Sequence, residues 1–253
     1  MTTLQLQTHI VYGPVRSRRL GKSLGVNLSP IPYKLCPYNC VYCQYGWTRV
    51  LSTEAEPYLD DFPRVDELSR ALEEFPASLD DLDHITFSGN GEATLHPDFN
   101  RAVDLVTDFR DRRAPRARTA ILSNAALVDR PEVRHALMRL DRRIMKLDAG
   151  DETTWKRLNR APARITFPAL VEGLQALKDY EIQALFLDGP FSNSTPPAVE
   201  AWVRLAAELK PLRAQIYTLD RVPADATLLP VSPQRLLEIR DLARAAGLEV
   251  EVY

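Results

Sequence analysis

The chain has 253 residues, of which 45% are hydrophobic and 26% are charged, a composition typical of a globular protein and sufficient for one large domain. It contains no apolar run of about 18 residues and it begins with a polar segment. We therefore expect neither a membrane-spanning helix nor a secretory signal, no binding to a membrane, and a cytoplasmic location. The net charge of −2 is unevenly distributed, because residues 1–53 contain no Asp or Glu.

This acid-free segment carries a charge of +6, whereas the rest of the chain carries −8. Its basic residues are Arg16, Arg18, Arg19, Lys22, Lys34 and Arg49. A basic segment in an otherwise acidic chain indicates an anionic partner. The alternative is that acidic side chains from elsewhere in the fold neutralise it.

Short apolar runs alternate with amphipathic stretches along the chain. We predict six principal strands at residues 24–28, 84–88, 119–123, 144–148, 182–188 and 215–220, and a short strand at 249–252. Helical periodicity falls at residues 65–75, 98–109, 131–140, 169–180, 198–209 and 233–246. Strands that alternate with helices predict an α/β fold with a parallel sheet, either a partial (β/α)6 barrel with its helices outside or a doubly wound sheet.

We expect residues 1–253 to form a single domain, in which the basic segment and a cysteine-containing loop (1–53) precede the remaining βα units (54–253). In either architecture, ligands bind at the loops that follow the carboxyl ends of the strands. Polar residues and glycines occur in several of these loops, at positions 89–92, 123–124, 148, 188 and 220.

All three cysteines of the chain, Cys36, Cys40 and Cys43, lie within eight residues in a C-x3-C-x2-C pattern. An odd number of cysteines in a large cytoplasmic domain argues against a disulfide framework, and a structural zinc site requires four ligands. Three thiolates on one loop suit three irons of a cubane cluster, whose fourth iron is then open to another ligand. Zinc with His96 as a fourth ligand, or three unrelated thiols, remain as alternatives.

With this cysteine pattern the chain resembles the radical S-adenosylmethionine (SAM) superfamily. The resemblance implies that the three cysteines bind a [4Fe–4S] cluster and that Tyr42 lies against the adenine of SAM. Residues 88–94, Ser-Gly-Asn-Gly-Glu-Ala-Thr, resemble the glycine-rich segment of the family. Gly89, Asn90, Gly91 and Glu92 would then bind the amino group of the methionine moiety, although the family's usual Glu-Pro ending is Glu-Ala here. Segments 16–25, 146–150 and 216–221 are similar to a group loosely related to the iron–sulfur oxidoreductases of wybutosine biosynthesis.

The resemblance implies an enzyme that reductively cleaves SAM at the cluster, giving a 5′-deoxyadenosyl radical that abstracts hydrogen from an unknown substrate. It also implies an electron donor such as flavodoxin or ferredoxin. The basic segment suggests that this donor docks on it, or that the substrate is anionic, such as RNA or a phosphorylated compound. A protein substrate is also open. The alternative function is an iron–sulfur redox or binding protein without radical turnover.

Further site residues are predicted from their places on the strands. Ser123 and Asn124 end the third principal strand and are candidates to contact the ribose or carboxylate of SAM, with a helix cap or a turn as the alternative. Lys146 and Asp148 alternate on the fourth strand and therefore share one face. They are the candidate catalytic residues, and a structural ion pair is the alternative. The unranked candidates for substrate contact are Asn159, Arg160, Asp188, Asn193, Asp220 and Arg221.

Overall fold

Strands and helices follow one another in the structure in the alternating order that the sequence predicts. The structure is a computed structural model that describes residues 3–76 and 78–253. These residues divide into an N-terminal unit, residues 6–37 and 49–143, and a C-terminal unit, residues 3–5, 38–48 and 144–253. The expectation of one domain over residues 1–253 stays a prediction. Over the described ranges, the helices are too short or too polar to cross a membrane.

The N-terminal unit contains a sheet of four strands in the order β1 to β4. They are β1 (Val11–Ser17), β2 (Gly21–Val26), β3 (His84–Phe87) and β4 (Arg118–Ser123). β1 runs antiparallel to β2, whereas β2, β3 and β4 are parallel. The helices of this unit are α1 (Val65–Glu73), α2 (Phe99–Arg113) and α3 (Pro131–Leu137). Short 3-10 helices span Glu56–Asp61 and Ala93–Leu95, and Leu35–Cys36 pairs in parallel with Val50–Leu51.

Burial of apolar faces accounts for these elements. All four residues of β3 are buried, as expected for a strand of a parallel sheet that is covered on both faces. Helix α2 directs an apolar stripe into the core, at Phe99, Ala102, Val103, Val106 and Phe109. The sequence prediction missed β1, because the Gly-Pro pair at residues 13–14 interrupts its alternation and shifts its register against β2.

The C-terminal unit contains four parallel strands in the order β5 to β8. They are β5 (Arg142–Lys146), which enters this unit at Ile144, β6 (Glu181–Leu185), β7 (Arg213–Tyr217) and β8 (Val250–Val252). Its helices are α4 (Glu152–Asn159), α5 (Phe167–Ala176), α6 (Pro196–Leu209) and α7 (Pro233–Ala245). Leu187–Asp188 and Leu229–Pro230 form a small antiparallel pair.

Helix α4 was not predicted, because in eight residues it buries only Trp155, Leu158 and Asn159 and its periodicity is too weak to read. Asp151 nevertheless gives it a defined start, since the Asp151 carboxylate accepts a hydrogen bond from the Thr154 N–H at 2.8 Å. The predicted strands at residues 144–148, 182–188 and 215–220 end earlier than expected, at Lys146, Leu185 and Tyr217. The residues that follow them therefore lie outside the parallel sheet.

The basic turn at residues 16–22 does not lie beside Cys36. This turn precedes β2, and the Lys22 N–H donates to Asp83 immediately before the start of β3. Cys36 lies instead beside Asn124, after the end of β4. Because the six residues of β2 span about 20 Å, the turn that carries Arg16, Arg18, Arg19 and Lys22 lies at the opposite end of this strand from Cys36. Lys22 is also paired with Asp81.

Candidate functional site

The glycine segment after β3 packs directly against the chain that leads into Cys36. A Cβ atom on Gly91 would lie 1.9 Å from the Leu35 carbonyl oxygen and 2.8 Å from Ser29 Oγ. Gly89 has a φ of +140°, and a Cβ there would lie 2.3 Å from Asn27 Oδ1. Only glycine fits either position, so Gly91 allows the segment to approach residue 35 closely, and Gly89 allows it to approach Asn27.

Asn90 is fully buried, and its side chain is used within the fold. Its Nδ2 donates to the Gln7 and Pro30 carbonyl oxygens at 2.9 and 3.2 Å, and its Oδ1 accepts from the Gln7 N–H at 2.6 Å. The Asn90 N–H donates to Asn27 Oδ1 at 3.0 Å. The Asn90 amide therefore positions residues 7 and 30, and the side chain is turned toward the protein.

Glu92 is a buried carboxylate that joins the glycine segment to the end of β4. Its Oε1 accepts hydrogen bonds from the Thr94 N–H at 3.2 Å, the Thr94 hydroxyl at 2.7 Å and the Ser123 hydroxyl at 2.8 Å. Its Oε2 accepts from the Asn124 N–H at 2.7 Å. Burial raises the pKa of Glu92, while these hydrogen bonds act in the opposite direction. Thus Ser123 and Asn124, predicted as SAM contacts, hold Glu92 in place.

Asn124 also contacts a cysteine of the predicted motif. Its Nδ2 lies 3.3 Å from Cys36 Sγ, and its Oδ1 accepts from the Ala126 N–H at 2.8 Å. Cys36 is buried. The N-terminal unit therefore brings Cys36, Glu92, Ser123 and Asn124 together at the carboxyl ends of its parallel strands, where the sequence predicts ligand binding.

In the C-terminal unit, the end of helix α4 holds the segment that contains Cys40. The last carbonyl groups of a helix have no partner within it. Here the Leu158 carbonyl accepts from the Val41 N–H at 2.9 Å, and the Asn159 carbonyl accepts from the Asn39 N–H at 3.0 Å. Cys43 closes a turn in the same segment, since its N–H donates to the Cys40 carbonyl at 3.2 Å.

Tyr42, Lys146 and Tyr217, which are partly buried, form a polar network with the buried Asp148 in this unit. Lys146 Nζ lies 2.7 Å from Asp148 Oδ1 and donates to the Tyr217 hydroxyl at 2.9 Å. The Tyr42 hydroxyl donates to Asp148 Oδ2. Lys146 Nζ also lies 5.0 Å from the centre of the Tyr42 ring and 4.6 Å from that of Tyr217. The predicted catalytic pair thus contacts the predicted adenine-binding tyrosine.

The charges in this network stabilise one another. Burial alone would lower the pKa of Lys146, but the Asp148 carboxylate and Tyr217 outweigh it, and the pKa is raised above its ordinary value. Burial, followed by the Asp148 charge, raises the pKa of Tyr42 well above its ordinary value. Lys146 is therefore an ammonium group and Tyr42 a neutral phenol at physiological pH.

Asn159 is a site residue that the sequence left among unranked substrate contacts. It is 2% exposed, and its Nδ2 lies 3.4 Å from Cys40 Sγ, 3.0 Å from the Tyr42 hydroxyl and 3.3 Å from Asp148 Oδ2. The only signal of this role in the sequence is its position shortly after β5, because the helix that carries it was not recognised.

Other candidates have structural roles. The Asn193 amide donates to the Asp148 and Leu185 carbonyl oxygens, both at 2.8 Å. Asp188 accepts from the hydroxyl groups of Ser192 and Ser194. Arg160 is exposed, and its guanidinium group lies 4.6 Å from the centre of the Trp47 ring.

His96 does not fit the zinc alternative. Its Nε2 is 2.7 Å from the Pro63 carbonyl oxygen, and its Nδ1 accepts from the Asp98 N–H at 3.1 Å. Both ring nitrogens are thereby engaged, which leaves neither for a metal. Across residues 3–76 and 78–253, no three His, Cys, Asp or Glu side chains are grouped closely enough to hold a metal ion. The three cysteines are reduced thiols, and their assignment as ligands stays a prediction.

Comparisons with known proteins agree with the motifs. The model of the Radical SAM superfamily matches residues 31–191. The chain is 31% identical to the UPF0026 protein MJ1312 of Methanocaldococcus jannaschii, with 87% of this chain and 67% of that protein covered. It is 32% identical to a protein named GTPase Obg from Brachyspira hyodysenteriae, with 99% of this chain covered. The chain spans only 36% of the length of that relative.

Solved structures share the fold. A radical SAM methyltransferase from Sphaerobacter thermophilus matches with a TM-score of 0.61 and 19% identity, over 91% of this chain and 65% of that one. TYW1, solved with a lysine–pyruvate adduct bound, matches with a TM-score of 0.56 and 14% identity, over 88% of this chain and 73% of that one. The predicted fold class, parallel strands with helices as in the radical SAM partial barrels, is confirmed, and so is the resemblance to the radical SAM superfamily. TYW1, an enzyme of wybutosine biosynthesis, shares this fold.

Proposed function

The chain belongs to the radical SAM superfamily, and from that membership we propose that it binds a [4Fe–4S] cluster through Cys36, Cys40 and Cys43 and uses SAM for radical chemistry. Membership makes it an enzyme of the radical SAM class. Its cluster, its reaction and its substrate are the subject of the proposal. Cluster and SAM together supply reductive cleavage of the sulfonium, which yields methionine and a carbon radical able to abstract hydrogen from a substrate.

The chemistry of the donor set supports cluster binding. Cysteine thiolates are the usual ligands of iron–sulfur clusters, and three of them leave one iron for another ligand. Amide N–H groups are directed at two of the three sulfurs, from Asn124 to Cys36 and from Asn159 to Cys40. Such donors suit thiolates that carry negative charge. This arrangement at the sulfurs is the observation that carries the proposal.

The glycine segment supports binding of SAM in the N-terminal unit. Glu92 lies next to Gly91 and is fixed by Ser123 and Asn124, so its carboxylate needs no rearrangement before it meets a ligand. A charged amino group is the natural partner of a buried carboxylate. We assign Gly89, Gly91 and Glu92 to the methionine moiety, with Asn90 acting through its backbone.

The polar network around Asp148 in the C-terminal unit supports a second role. Tyr42 presents an aromatic ring for an adenine, and its hydroxyl is fixed by Asp148. Lys146 is held protonated, so it suits an orienting or proton-donating group better than a nucleophile. We therefore keep Lys146 and Asp148 as the candidate catalytic residues and propose that Lys146 orients an electron-rich part of the substrate.

Partners follow from the reaction class. Enzymes of this class need an electron donor, and we propose flavodoxin or ferredoxin in the cytoplasm, where reduced thiols persist. The basic turn at residues 16–22 lies at the far end of β2 from Cys36. It is therefore a less suitable docking surface for the donor than the sequence suggested, and an anionic substrate remains a proposal that rests on charge alone.

The deciding experiment is anaerobic reconstitution with iron and sulfide, followed by incubation with SAM and dithionite. We expect 5′-deoxyadenosine and methionine in equal amounts, and no product when Cys40 is changed to Ser. A protein that holds about four irons per chain but releases no 5′-deoxyadenosine would instead support the alternative function, an iron–sulfur protein without radical turnover.

A further inference from the structure

Two asparagine side chains place an amide nitrogen against a cysteine sulfur, one in each unit. In the C-terminal unit, Asn159 Nδ2 lies 3.4 Å from Cys40 Sγ. In the N-terminal unit, Asn124 Nδ2 lies 3.3 Å from Cys36 Sγ. These distances are suitable for N–H···S hydrogen bonds, in which the larger sulfur atom sits farther from the donor than an oxygen does.

The surroundings of Asn159 fix the orientation of its amide. On the Nδ2 side lie three acceptors: Cys40 Sγ, the Tyr42 hydroxyl oxygen and the Asp148 carboxylate. The Tyr42 hydroxyl donates its own hydrogen to Asp148, so it can only accept from Asn159. With the amide reversed, Oδ1 would face the carboxylate and the sulfur, which is electrostatically unfavourable.

The oxygen of the same amide, Asn159 Oδ1, is buried, and no hydrogen-bond donor reaches it among the described residues. An unsatisfied buried acceptor is unfavourable, so hydrogen bonding of Oδ1 cannot be the reason for an asparagine at this position. The Nδ2 contacts are the interactions that an apolar side chain of the same size would lose.

The backbone of Asn159 is also hydrogen-bonded to the segment that carries Cys40. Its carbonyl accepts from the Asn39 N–H, one residue before Cys40. Helix α4 ends at Asn159, because Arg160 adopts the left-handed conformation with a φ of +46°. The donor and the sulfur are therefore held by the same short piece of structure.

Asn124 is oriented by a different set of contacts. Its Oδ1 accepts from the Ala126 N–H at 2.8 Å, which leaves Nδ2 to face Cys36 Sγ. Its backbone N–H donates to Glu92 Oε2. The two asparagines thus share one relation to a cysteine sulfur, although Asn124 lies in the loop after β4 and Asn159 ends helix α4.

We propose that Asn159 and Asn124 are positioning residues that raise the reduction potential of the cluster by donating hydrogen bonds to the sulfurs of Cys40 and Cys36. This inference rests on the proposed function, in which those cysteines are cluster ligands. Reduction adds one electron, taken from the donor, to a cluster that is already surrounded by thiolates. N–H donors stabilise the added negative charge at sulfur, so their loss makes the cluster harder to reduce.

The test is a redox titration of the anaerobically reconstituted full-length protein with dithionite, monitored by electron paramagnetic resonance (EPR). Asn159→Leu removes the donor without adding charge. Asn124→Ser removes the amide but leaves a hydroxyl that can accept from the Ala126 N–H. We expect each variant to lower the equilibrium constant for one-electron reduction roughly tenfold, a shift of about 59 mV to more negative potential.

Thr48→Val is the matched control. The Thr48 hydroxyl donates to the Tyr38 carbonyl at 2.7 Å in the segment that carries Cys40, and no hydrogen bond joins it to a sulfur in the described part of the chain. The reduction potential of the cluster in Thr48→Val should equal that in the wild type. A shift in Thr48→Val as large as that in Asn159→Leu would overturn the proposal, because any change in this segment would then alter the potential.

A second measurement covers variants that fail to bind iron. In the wild type, transfer from H2O to D2O should shift the iron–cysteine stretching bands of the resonance Raman spectrum, because the proposed hydrogen bonds exchange their protons. Wild-type bands that do not shift, or loaded variants with the wild-type potential, would refute the inference. If both asparagine variants lose the cluster but retain the circular dichroism spectrum of the native fold, the two asparagines are needed for cluster assembly, and this result would also overturn the inference. A wild type without iron would contradict the proposed function itself.

Discussion

The Lys146 ammonium lies 2.7 Å from Asp148 Oδ1, and the Asp148 side chain has no exposed surface. Because removal of one partner of a buried ion pair leaves an uncompensated charge, Lys146→Met should lower the free energy of unfolding by about 3–5 kcal/mol. Chemical denaturation measures this value.

The exposed pair Lys156–Glu152, also at 2.7 Å, provides the matched control. Lys156→Met should change the free energy of unfolding by no more than about 0.5 kcal/mol, because water screens the exposed charges. If the two variants unfold alike and Lys146→Met lowers only turnover, Lys146 acts on the substrate and contributes little to the fold.

Glu92→Gln retains the shape of the side chain and removes its charge. We expect weaker SAM binding, by about 1.5–3 kcal/mol for a lost charged hydrogen bond, as measured by calorimetry on the reconstituted protein. We also expect a lower melting temperature, because in either orientation of the new amide its NH2 group faces a hydrogen-bond donor, the Ser123 hydroxyl on one side or the Asn124 N–H on the other. Thr94→Val, which removes one neutral donor to Glu92, is the control. An unchanged affinity in Glu92→Gln would remove Glu92 from the SAM site.

Gly91→Ala should displace the chain next to Cys36. The new Cβ would lie 1.9 Å from the Leu35 carbonyl oxygen, and overpacking of this kind costs about 1–3 kcal/mol. We expect less iron per chain after reconstitution. Gly247→Ala, where a Cβ meets nothing within 4 Å, should cost only the strain of its left-handed backbone and should load iron normally. Equal iron contents would contradict the close packing of Gly91.

Acid should destabilise the protein through His96. Burial lowers the pKa of His96 and outweighs the hydrogen bond to the Pro63 carbonyl and the charge of Asp98, which both raise it. With a folded pKa below the unfolded value of about 6.5, His96 stabilises the fold fully above that value and loses this contribution as the pH falls through its folded pKa. The melting temperature should therefore fall between pH 7 and pH 5.

His96→Gln should make this fall shallower, whereas the same change at the exposed His135 should not. Identical pH profiles for the wild type and His96→Gln would show that the acid sensitivity arises elsewhere. His84 also has a lowered pKa, caused mainly by burial, and accounts for the part that persists in His96→Gln.

Much of the fold follows from local sequence patterns. The run at residues 84–87, His-Ile-Thr-Phe, is rich in β-branched and aromatic residues and predicts a strand, and helix α2 carries an unbroken apolar stripe. Strand β1 is different, because its formation depends on pairing with β2 across a register shift that no local pattern records. Helix α4 likewise depends on its cap at Asp151 and on contacts of its last turn.

The site divides in the same way. The cysteine spacing and the glycine segment are local patterns, and a single sequence shows them directly. The roles of Asn159 and Asn124 depend on contacts with Cys40 and Cys36 over separations of 119 and 88 residues. A single sequence carries no record of such contacts. The position of the basic turn depends on the fold in the same way, since neighbours in sequence can lie at opposite ends of one strand.

The most direct test of the central claim is the EPR spectrum of the reduced, reconstituted protein before and after addition of SAM. If three cysteines hold the cluster and leave one iron for another ligand, SAM should change the spectrum of the wild type, and Glu92→Ala should require a higher SAM concentration for the same change. A reduced cluster whose spectrum is identical with and without saturating SAM would contradict the account.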